Sequence, residues 1–70
     1  MDRERVRSSN IKSVGYDPGD MTLEIEFHDG GIYRYFNVPA DVHEGLMRAS
    51  SKGAYFHDHI KERYRFRKVR

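Results

Sequence analysis

The 70-residue chain has no cysteine, no tryptophan and only two prolines. Without cysteine there is no disulfide and no thiolate ligand for a metal. No apolar run approaches the length that spans a bilayer. The opening M-D-R-E-R-V-R-S-S-N lacks the apolar stretch of a signal peptide. These absences predict a cytoplasmic protein with no membrane partner. A glycine-rich phosphate loop, a nucleophile elbow and an H-E-x-x-H pair are missing too, so the expectation is a non-enzymatic protein without catalytic residues or cofactor. So short a chain buries proportionally little surface, and oligomerisation is the cheapest way left to bury more.

The most legible stretch is Met21 to Pro39. Met21, Leu23, Ile25 and Phe27 alternate with Thr22, Glu24, Glu26 and His28, the period of a strand with one dry face and one wet face. Asp29-Gly30-Gly31 signals a reversal, and Ile32 to Val38 runs back until Pro39 stops it. A two-residue turn would set Arg34 opposite Ile25, placing a guanidinium in the apolar row. A three-residue loop, His28-Asp29-Gly30 with Gly30 left-handed, shifts the register by one. Ile25 then faces Tyr33, Leu23 faces Tyr35, and Glu24 meets Arg34 on the wet side. That register leaves Ile32 and Phe36 exposed on the face of Glu24 and Arg34, where they must be covered or used.

The rest reads in order. Residues 1–9 are charged and aperiodic and are expected to be a disordered tail, with residues 10–70 forming the single domain. A first strand runs from about Ile11 to Tyr16. Asp17-Pro18-Gly19-Asp20 reads as a type II turn with Gly19 at the positive-φ position. Ala40 to about Ser50 is a helix with Val42, Leu46 and Ala49 as its apolar stripe and His43, Glu44 and Arg48 on its polar side. Gly45 in its middle allows close approach to the sheet or the next helix. Ser51 is the expected N-cap of a second helix, roughly Lys52 to Glu62, with Phe56 and Ile60 facing inward. The predicted architecture is α+β: a three-stranded antiparallel meander, two short helices packed on one face, and a basic extended C-terminal segment.

The run Phe27, Gly30, Tyr33, Tyr35, Val38, Pro39, followed by E-G-L-M-R-A-S-S-K-G-A-Y-F-H-D-H-I, resembles the KTSC domain. That short module is named for its place at the C-terminus of some lysyl-tRNA synthetases, and it also occurs as a stand-alone bacterial protein. The likeness runs from about Ser9 to Val69 and centres on the Y-x-Y motif, here Tyr33 and Tyr35. Members often carry asparagine after Phe56, where this chain has His57. The resemblance implies the fold and no established activity; its synthetase context points towards RNA.

Charge is unevenly spread. Residues 61–70 carry six Lys/Arg and one Glu, whereas residues 8–60 carry four Lys/Arg and eight Asp/Glu. A basic end on a mildly acidic body fits an anionic partner or a solvated tail. Arg63, Arg65 and Arg67 alternate with Tyr64 and Phe66. If the rings anchor an extended segment, alternate arginines stand about 6.6 Å apart, near the phosphate repeat of an extended single strand. The leading expectation is therefore RNA or single-strand binding through Arg63, Arg65, Arg67, Lys68 and Arg70, with Lys61, Lys52 and Arg34 contributing. The rival is a protein-interaction or homodimer module using Ile32, Phe36 and an exposed sheet edge. Tyr33 and Tyr35 read as core aromatics under the chosen register, or as a base-stacking pair. His57 and His59 lie two residues apart and diverge on a helix, so no metal site is expected.

Overall fold

The hairpin adopts the register that charge placement demands. The computed structural model describes residues 1–70. Its elements are β1 (Glu4–Arg5), β2 (Ile11–Asp17), β3 (Thr22–Phe27), β4 (Ile32–Tyr35), α1 (Ala40–Arg48), α2 (Lys52–His59) and β5 (Phe66–Lys68). The strands form one antiparallel sheet in the order β1-β2-β3-β4-β5. Leu23 pairs with Tyr35, Glu24 with Arg34 and Ile25 with Tyr33. The loop turns as expected: the Gly30 N–H donates to the Phe27 carbonyl at 2.9 Å, and Gly30 takes φ 98°. The Asp29 carboxylate accepts from the Gly31 N–H at 2.9 Å and steadies the turn.

The sheet has five strands, not three. Glu4–Arg5, within the stretch read as a disordered tail, pair with Ser13 and Val14. Phe66–Lys68 pair with β4 at the other edge. β1 is short and charged and shows no apolar period, while β5 follows the Tyr64–Phe66 alternation; both are held by backbone pairing as well as by side chains.

One face of the sheet carries the core. Ile11, Val14, Leu23, Ile25 and Tyr35 pack with Val38, Leu46, Phe56 and Ile60. Ser51 caps α2 as expected, its hydroxyl accepting from the Ala54 N–H at 3.3 Å. α2 stops at His59, short of Glu62. Gly45 serves the next helix: a Cβ there would meet Tyr55 Cζ at 2.7 Å. His43, placed on the polar side by sequence, is half-buried and stacks on Tyr16 with ring centroids 4.5 Å apart. Burial holds its pKa below the ordinary value.

The first turn differs from the type II expectation. The left-handed residue is Met21, φ 53°, and not Gly19. The Asp17 carboxylate accepts from the Gly19 and Asp20 N–H groups at 2.9 and 3.3 Å. That side chain holds the turn, leaving the chain to reverse its sense at Met21.

The other face is covered where sequence left it open. Ile32 is only 5% exposed. Its N–H donates to the Arg70 carbonyl at 3.1 Å, and Met1, Arg3 and Val69 stand around it. Phe36 is half-buried. The N-terminal segment crosses this face directly over Gly15, where a Cβ would come within 2.6 Å of the Asp2 carbonyl oxygen. Gly15 is therefore a crossing point, while the irregularity in β2 falls between Ile11 and Ser13.

Candidate functional site

Strand alternation and pairing build an aromatic cluster at the β4–β5 edge, on the helix side. Tyr35 packs its ring edge-on against Phe56, 5.5 Å between centroids, and Phe56 does the same to Phe27 at 5.4 Å. Phe27 meets Tyr33 at 5.8 Å. Phe66 from β5 completes the set, 5.9 Å from Tyr33 and 5.7 Å from Tyr35. Phe66 is 56% exposed and Tyr35 4%. The cluster therefore grades from core to open surface across three strands and a helix.

A groove of about 510 Å³ opens on this cluster, bounded by Lys61, Glu62 and Asp29. A second hollow of about 430 Å³ adjoins it and shares Phe27, Asp29, Phe56 and Lys61 with it. The second hollow is polar, with Asn10, His28 and His57 in its wall. Tyr16 donates to the Val38 carbonyl at 2.6 Å, and no buried side-chain polar atom is left without a partner. Burial first, then the neighbouring Tyr33, pushes Tyr35 up to about 12, so its hydroxyl keeps its proton and remains a donor. Lys68 sits over the Tyr33 ring with its ammonium 6.0 Å from the centroid.

The basic residues singled out in sequence separate into groups. Lys61 and Lys68 border the aromatic groove. Arg34 faces away, its Nε donating to Glu24 at 2.7 Å, and Arg67 stands opposite it on β5. Arg65 adjoins β5, its carbonyl accepting from the Phe36 N–H at 2.9 Å. Arg63 lies in the turn after α2 and reaches back to the Asp58 carbonyl at 3.3 Å. Lys52 binds the Ala49 carbonyl at 3.0 Å, and Arg70 pairs its backbone with Ile32. Arg63 thus lies outside the extended segment, whereas Arg65 and Arg67 lie within the stretch that runs along β4 by backbone hydrogen bonds. The segment is attached by backbone pairing, by Tyr64, which packs against the core, and by Phe66, whose ring is 56% exposed but rests on Tyr33 and Tyr35.

Sequence reading missed Phe27, Phe56 and Asp29 as neighbours of the Y-x-Y pair, and Asn10 in the wall of the adjoining hollow. Phe27 carried a signal, being in phase with Leu23 and Ile25. Asn10 and Asp29 carried none, because both already had local roles beside a strand and in a turn. Of the four histidines, His28 and His57 share the wall of the polar hollow, while His43 stacks on Tyr16 and His59 lies against Tyr55.

Residues 7–64 match the KTSC domain family model. The chain belongs to the KTSC family. KTSC is a small module. The crystal structure of a KTSC domain protein from Yersinia pestis superposes with a TM-score of 0.96 at 43% identity, covering 99% of this chain and 97% of the other. An uncharacterized protein of Stutzerimonas stutzeri is 40% identical over 99% of both chains. A lysine–tRNA ligase of a Nostoc strain is 46% identical over 87% of this chain, which spans 11% of the ligase. The KTSC module thus occurs alone and as a small part of such ligases. In this KTSC domain the Y-x-Y tyrosines line the groove from the core side. No helix is long and apolar enough to cross a membrane.

Proposed function

We propose that this KTSC domain is a non-enzymatic binding module for single-stranded nucleic acid, RNA in the first instance, working in the cytoplasm. One observation carries the reading. Phe66 is an exposed ring at a sheet edge, tilted against two tyrosines, with Lys68 over one of them and Lys61 at the mouth of the same groove. Exposed rings on a sheet suit bases of any identity, and flanking cations suit the backbone. The ligase relative adds support, since its named substrate class includes tRNA. The contacting set differs from the sequence expectation: Lys61 and Lys68 serve the groove side, while Arg65 and Arg67 alternate to the Arg34 face and Arg34 is engaged with Glu24.

Fluorescence anisotropy with a labelled mixed-sequence single-stranded RNA tests this. Neutralising about two phosphates gives a slope near −1.4 in log K against log salt, so affinity should fall about sevenfold between 50 and 200 mM salt. Phe66→Ala should weaken binding at least about fivefold, the loss of one base stack. Its melting temperature should stay close to that of the wild type, because the ring is mostly exposed. Absence of binding at low salt overturns the proposal. Binding untouched by Phe66→Ala moves the site elsewhere.

A further inference from the structure

We infer that the groove reads guanine, with Asp29 as the discriminating residue. The inference rests on the nucleic-acid reading above and adds base specificity to it.

Asp29 is out of place on a surface built only to hold a phosphate backbone, since a carboxylate there repels the ligand. Its turn role uses one oxygen, Oδ1, which accepts from the Gly31 N–H at 2.9 Å. Oδ2 has no protein partner, and Asp29 makes no ion pair with Lys61 although both line the two adjoining hollows. The mouth between the hollows thus offers an acceptor-only group and an ammonium, each unengaged, beside the Phe27 and Tyr33 rings.

A base stacked there must bring N–H groups to Asp29 and an oxygen or ring nitrogen to Lys61. Guanine alone presents two adjacent donors, N1–H and the 2-amino group, with the O6 acceptor next to them. Adenine turns a lone pair towards the carboxylate. Cytosine offers a single amino donor beside an acceptor nitrogen. Uracil offers one N–H flanked by two carbonyl oxygens. Oδ2 and the remaining lone pair of Oδ1 can receive two parallel N–H bonds, the strong, geometrically selective arrangement.

The test compares four heptanucleotides, U7 and the same strand with G, A or C at the central position. Tighter binding of the G strand by about tenfold is expected, from the 1–3 kcal/mol that one well-made base contact discriminates. Asp29→Asn keeps the turn, because an asparagine oxygen also accepts from the Gly31 N–H. It should collapse the ratio between the G and U strands. Equal affinity for all four strands, or a preference for A or C, overturns the guanine assignment and leaves single-strand binding standing. A G preference that survives Asp29→Asn overturns the role of Asp29. No binding of any strand overturns both readings.

Discussion

Glu24 is the residue on which the face away from the helices depends. It is 3% exposed, yet it sits on the side that alternation marks as wet. Arg34 donates to one of its oxygens at 2.7 Å, and Arg3 donates to the other. Burial pushes its carboxyl up, but the hydrogen bonds from Arg34 and Arg3 outweigh burial and hold it below the ordinary 4.5. Glu24→Gln leaves two guanidiniums around a neutral amide and should cost about 1–3 kcal/mol, much of what so small a domain has. A thermal melt checks this. The pH dependence has a definite sign. A carboxyl depressed on folding adds stability that is complete above its unfolded value and is lost as pH falls through the folded one. The wild type should therefore lose stability below about pH 4.5, and Glu24→Gln should lose less over the same range, as followed by circular dichroism. Parallel acid curves would show that Glu24 contributes nothing.

Among the elements, α1 and α2 show a glycine with two opposing effects. In an open helix, Gly45→Ala would stabilise by about 1 kcal/mol. Here the new methyl meets the far end of the Tyr55 ring, with Cζ at 2.7 Å, so the ring must leave its packing on His59 or α2 must shift. Overpacking costs about 1–3 kcal/mol, so the net change should be a lower midpoint in urea. A raised midpoint would mean that the ring or α2 shifts freely. The sequence announced close approach at Gly45 but left the partner open between sheet and helix. The edge strands were less legible. β1 depends on Arg3 reaching Ser13 at 3.0 Å as well as Glu24, and on Gly15 letting the segment pass. Those partners are ten or more residues away in sequence, so no local window contains them. β5 follows the Tyr64–Phe66 alternation, but it joins β4 by pairing backbones, which side-chain patterning does not report.

For the whole molecule, the wrapped face changes the balance between the two functional classes. Ile32 was the apolar anchor of the interaction reading, and it is covered by chain from both ends. Wild type and Phe36→Glu should therefore sediment alike. A wild-type dimer that Phe36→Glu dissociates would restore that reading. The residue pattern by itself determined the hairpin, its register, the inward Tyr33 and Tyr35, both helices and the Ser51 cap. Each follows from local periodicity, turn chemistry or the cost of one misplaced guanidinium. Only the tertiary structure decided that residues 4–5 and 66–68 complete the sheet, that Glu24 is buried, and that Phe66, Asp29 and Lys61 share one groove. Those features arise where segments distant in sequence meet, and the energy that fixes them lies in contacts between segments, not within any one of them.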